Sequence, residues 1–127
     1  MTGVSPTKLN PEGKVHGEIL TDISEGMVRI LKERYGSGPS QTKTIYDDDL
    51  VLCVLRGEFT KVERTLLENG GADIVDQVRS AFQRAMGPEF KSVVETATGR
   101  KVIAFMSGNS NETDTMGEMF VLEPRSK

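Results

Sequence analysis

Asp47, Asp48 and Asp49 form the densest group of cation-seeking side chains in the chain. Carboxylate oxygens suit hard cations, but this spacing argues against that chemistry. Neighbouring residues of an extended segment point to opposite sides. The spaced ligands and central glycine of a calcium loop are also missing. Aspartate favours turns, so the run reads as a hairpin tip. Asn109, Asn111, Glu112 and Asp114 offer further oxygens and read as a solvated turn.

Cys53 is the single cysteine and His16 the single histidine. A nucleophilic thiol needs an accessible, electropositive setting and a base beside it. Cys53 lies inside an apolar run and reads as a small buried hydrophobe. One Cys and one His fall short of a zinc ligand set. The segment 36–41, GSGPSQ, follows a helix instead of opening one. It also lacks the Lys-Ser/Thr pair of a phosphate loop. The residues thus supply no catalytic set, no metal set and no cofactor site, and the reading is a non-enzymatic protein.

The elements around these residues are clearer. Residues 1–14 read as a flexible N-terminal arm, with Asn10 as a helix cap before Pro11. Residues 15–123 form one domain, and 124–127 a short tail. Ile19, Leu20, Ile23, Met27, Ile30 and Leu31 recur at three- and four-residue steps, which predicts an amphipathic helix to about Tyr35. Gly36 is a natural residue to close it. Residues 41–46 read as a strand.

Residues 50–55, LVLCVL, read as a second strand that is apolar at every position. An antiparallel strand with one wet face should alternate. Its failure to do so predicts cover on both faces, by this chain's helices on one and by a second subunit or another layer on the other. The expected dimer or partner surface is therefore Leu50, Val51, Leu52, Val54 and Leu55, with Phe105 and Phe120 of the last hairpin.

Thr60 and Glu63 match a capping box, opening a short helix with Val62, Leu66 and Leu67 inward. Asn69-Gly70-Gly71 stops it. From Ile74 to Ala97 the apolar residues keep one helical phase across Gly87-Pro88, which reads as one long helix kinked near Pro88. Strands at 100–107 and 116–122 flank a polar loop. The order α-β-β-α-α-β-β gives a single α+β domain, an antiparallel four-stranded sheet with helices packed on it.

Charged residues at 28% and hydrophobic residues at 36% fit an ordinary globular chain of 127 residues. A net charge of −3 speaks against a general nucleic-acid binder. Arg56, Lys61, Arg64, Arg79, Arg84, Lys91, Arg100 and Lys101 could still gather into a basic surface. The helix and strand order is also similar to a type II KH arrangement, with residues 69–72 at the place of its glycine loop, though without G-x-x-G spacing. A KH-like nucleic-acid-binding regulator is the alternative reading. The lone cysteine fits a reducing, cytoplasmic setting. The longest apolar run, six residues, is too short to span a bilayer, and no secretory signal is seen.

Several stretches, in order, resemble the MpsC-like family: ISEGMVRILKERYGSGP at 23–39, DDDLVLCVLRGEFTKVE at 47–63, IVDQVR at 74–79 and ETATGRKV at 95–102. The resemblance implies a soluble accessory component of a bacterial cation-translocating, membrane potential-generating system, beside membrane subunits and peripheral to the membrane. It implies no catalytic residues. Where the family pattern continues with a His-Thr-Asp stretch, Met106, Ser107 and Gly108 stand here. With the strand argument, the expected partners are a second copy of the chain and membrane-protein subunits.

Overall fold

The computed structural model describes residues 15–125. The expected arm, the Asn10 cap and the last two tail residues lie outside them. The architecture is α+β: one antiparallel four-stranded sheet with helices on one face.

Helix α1, His16–Ile30, runs into a wider π-helical turn, Leu31–Tyr35. Ile19, Ile23 and Met27 lie one above another on its buried face. Gly36 closes the turn at φ 87°, the left-handed conformation expected of it. Strands β1, Gln41–Asp47, and β2, Leu50–Arg56, make the first hairpin around the three acids. Helices α2, Lys61–Glu68, α3, Ala72–Ala85, and α4, Gly87–Thr98, follow. Strands β3, Val102–Ser110, and β4, Thr115–Leu122, close the chain. The strand order is β1-β2-β4-β3, so the central pair joins the two hairpins.

The expected long helix is divided. Met86, at φ −87° and ψ −1°, separates α3 from α4. Pro88 has no amide to reach the Arg84 carbonyl. The turn is held by the Met86 amide on Phe82 (2.9 Å) and the Phe90 amide on Met86 (2.8 Å). The hydrophobic phase survives because these hydrogen bonds carry the helical path across Met86.

The core lies between the helices and one sheet face. Val51, Cys53 and Leu55 of β2 and Met116, Phe120 and Leu122 of β4 meet Ile23, Met27, Phe90 and Val94. Each fully buried aliphatic or aromatic side chain contributes about 1.5–3 kcal/mol. Helix α1 approaches α4 at Gly26, where a Cβ would stand 2.6 Å from a Val93 methyl.

Two expected faces differ. In α2, Val62 is 68% exposed and Glu63 is the buried residue, while Leu66 and Leu67 are half-buried. In α3, Ile74 and Val78 are about half exposed, and Val75, Arg79 and Gln83 turn inward. In each helix a charged side chain, Glu63 or Arg79, takes an inward place beside the exposed Val62 or Val78, and the two meet as an ion pair.

Candidate functional site

Two features stand out: a buried polar cluster beneath α3 and an open apolar sheet face. The cluster begins at Thr60. Its hydroxyl accepts from the Glu63 amide at 3.1 Å, and Glu63 Oε1 accepts from the Thr60 amide at 2.9 Å, the capping box read from the sequence. Being at the third helical position, Glu63 also points inward. Its two oxygens accept from Arg79 Nε at 2.9 Å and Nη2 at 3.2 Å. The Tyr35 hydroxyl, presented by the π-helical turn, donates to Glu63 as well.

Arg79 is fully buried and spans three segments. Its Nη2 donates to Asp114 Oδ1 at 3.1 Å, and its guanidinium carbon lies 4.2 Å from the Phe59 ring centroid. Asp114 sits in the β3–β4 turn at φ 48°, a conformation aspartate tolerates better than most residues. Its carbonyl accepts from Gly57 at 3.0 Å and its Oδ2 from the Phe59 amide at 3.0 Å. Arg79 and Asp114 thereby hold the β2–α2 connection to the last hairpin.

On the helix-facing side of the sheet, Thr44, Cys53, Glu118 and Ser107 form one row across the four strands. Glu118 is fully buried and accepts from Gln83 Nε2 at 2.7 Å. The same amide reaches the Gly108 carbonyl at 2.9 Å. Glu58, also fully buried, precedes the α2 cap.

Electrostatics divides the acids. Burial would raise Glu63, but hydrogen bonds from Arg79, Tyr35 and Thr60 outweigh it and hold the carboxyl below the usual range. Burial pushes Glu58 up to about 7, with Arg79 opposing and Asp114 and Glu63 adding to the rise. Burial pushes Glu118 up to about 8, against the pull of the Gln83 amide. Burial also takes the Cys53 thiol to about 12, and the Thr44 hydroxyl 3.8 Å from its sulfur opposes this only in part.

A second polar node explains the acidic turn. Arg100 donates to the Asp48 carbonyl at 2.7 Å, to the Glu123 carbonyl at 2.9 Å and to the Asp49 carboxylate. The acids therefore receive an arginine that ties both hairpins together. Among the described residues, no three His, Cys, Asp or Glu side chains form a metal-sized group. His16 has a partner the sequence did not suggest: its ring stacks on Tyr46 at 5.4 Å between centroids.

Among the described residues, no helix packs on the opposite sheet face. Strand pairing sets Ile45, Leu52, Met119 and Met106 in one row, and Asp47, Leu50, Val121 and Ala104 in the next. Ile45, Leu50 and Met106 are each nearly half exposed. Of the expected partner surface, Leu50, Leu52 and Val54 lie on this open face. Val51, Leu55 and Phe120 are fully buried under the helices, so in this fold they are core. Phe105 joins them there, its ring 5.1 Å from Phe120 and 6.2 Å from Phe90. The β2 run fails to alternate because both sheet faces are apolar, while the described residues cover only one. The eight basic residues do not form one surface, since Arg79 and Arg100 are buried in ion pairs.

These features define an α+β domain whose sheet, among the described residues, carries helices on one side only. None of its helices is long and apolar enough to cross a membrane, among the described residues. Residues 15–124 match the family model described as Na+-translocating membrane potential-generating system (MpsC), and the chain belongs to that family. No curated protein and no solved structure matches it.

Proposed function

We propose that this chain is a non-enzymatic accessory component of a cation-translocating, membrane potential-generating system, working from the cytoplasmic side as a homodimer that docks on membrane subunits. Family membership supports the system. The observation that carries the mode of action is the uncovered sheet face. Its central row, Ile45, Leu52, Met119 and Met106, is apolar from edge to edge, and such faces on small proteins mark interaction surfaces.

Lys43 and Asp47 border that face two residues either side of Ile45. A two-fold axis along the central row would set Lys43 of one copy opposite Asp47 of the other. An isologous interface requires that kind of self-complementarity.

The test is crosslinking followed by pull-down from the native cell at low salt, with the oligomeric state of the purified chain measured alongside. Recovery of membrane subunits with a dimeric bait supports the reading. A monomeric bait recovered alone would count against it, and salt-sensitive recovery of nucleic acid would replace it with the KH-like alternative.

A further inference from the structure

Among the described residues, five side-chain atoms beneath α3 and the adjoining strands are buried without a hydrogen-bond partner. They are both carboxylate oxygens of Glu58, Oε1 of Glu118, Nη1 of Arg79 and Oδ1 of Asn109. Buried polar atoms are rarely left so, and the charges around them do not balance. Four carboxylates, Glu58, Glu63, Asp114 and Glu118, share the region with one guanidinium. Arg79 is committed to Glu63 and Asp114. Among the described residues, neither Glu58 nor Glu118 has a cationic hydrogen-bond partner; Glu118 accepts from the neutral Gln83 amide. Full ionisation would leave uncompensated negative charge where solvent does not reach. A buried carboxyl in that position takes up a proton instead.

The cluster also lies where three elements meet. Glu58 belongs to the β2–α2 connection and faces Arg79 of α3, Glu63 of α2 and Asp114 of the β3–β4 turn. Glu118 belongs to β4, beside Cys53 of β2 and beneath Gln83 of α3, and it feels Glu58. Tyr35 closes the far side through Glu63. The fully buried residues of α3 are Val75, Arg79 and Gln83, two of them polar, while Phe82 packs against Tyr35 and the core.

We propose that Glu58 and Glu118 form an internal proton site: both carry protons in the closed fold, and their loss frees α3 and the β2–α2 connection from the sheet. The bond made and broken is a carboxyl O–H, with water taking the proton. A neutral carboxyl also supplies the donor that the orphaned acceptors lack. The raised values near 7 and 8 agree with this placement. For acids raised in the fold, the linked stability is complete below the ordinary carboxylate value. It is lost as pH rises toward the folded values and levels off above them. Because the two acids interact, they titrate as a pair. The inference does not depend on the membrane-system reading.

The test uses the full chain. Infrared spectra of the wild type should show a protonated-carboxyl band at about pH 6 that is gone at about pH 9, since ordinary carboxyls are already ionised at the lower value. Glu58→Gln and Glu118→Gln should each remove about half of it. If either variant fails to fold, carbon-13 labelling of glutamate in the wild type counts the late-titrating carboxyls directly. Hydrogen exchange at α3 amides, corrected for intrinsic rate, should open at least about tenfold more readily at the higher pH. No band at the lower pH, or equal α3 protection at both, overturns the proposal. So does a sodium-specific downward shift of the titration, which would mark a cation site instead.

Discussion

At the scale of single residues, Arg79 and Glu63 organise the buried polar region. Removing one member of a buried ion pair leaves the other charge stranded. Arg79→Ala should therefore lower stability by about 3–5 kcal/mol, read from denaturant unfolding. Glu63 sets the acid limb. Its carboxyl is held below its ordinary value, so it contributes stability present above that value and lost as pH falls through the folded one. Glu63→Gln should be less stable at neutral pH and show a shallower stability loss below about pH 4.5, measured as the urea midpoint against pH. The capping role of Glu63 was legible from Thr60 three residues before it. Its partnership with Arg79 was not, because Arg79 was one of several basic residues with no local sign of burial. A sign did exist for Glu118. It stands in phase with Met116, Phe120 and Leu122, which marks an acid on the inward face of its strand.

At the scale of elements, the two hairpins were readable from their strand composition and turn residues, and the first helix stop from Gly36. The rotation of α2 and α3 was not. Val62, Ile74 and Val78 satisfy a helical pattern, yet the orientation is decided by partners on other elements. Arg100 shows the same thing for the first turn. Asp47, Asp48 and Asp49 announce a hairpin tip, while the arginine that receives it comes from the other half of the chain. Arg100→Ala should lower stability by about 1.5–3 kcal/mol through its charged hydrogen bonds, and should increase proteolytic cleavage at the 47–49 turn. Gly57, at φ 78°, adds a backbone test. A Cβ there would be strained and would collide with Ser40 Oγ, so Gly57→Ala should cost about 1–3 kcal/mol in thermal unfolding.

For the whole molecule, the apolar run of β2 foretold two apolar sheet faces, but only the fold could assign its residues between them. That assignment separates two outcomes. Val51→Asp places an unpaired charge in the core and should prevent folding, seen as loss of cooperative melting. Leu52→Asp or Val54→Asp on the open face should leave melting intact while changing the oligomeric state by light scattering. The strand order β1-β2-β4-β3 also bears on synthesis. Strand β2 gains its second neighbour only when Thr115–Leu122 has emerged, since Leu50 pairs with Val121 and Arg56 with Thr115. At ordinary elongation rates that leaves roughly 3–13 s in which an apolar strand edge waits on the ribosome. Premature pairing with a neighbouring nascent chain is the hazard of that interval, and a chain truncated before β4 should aggregate during translation.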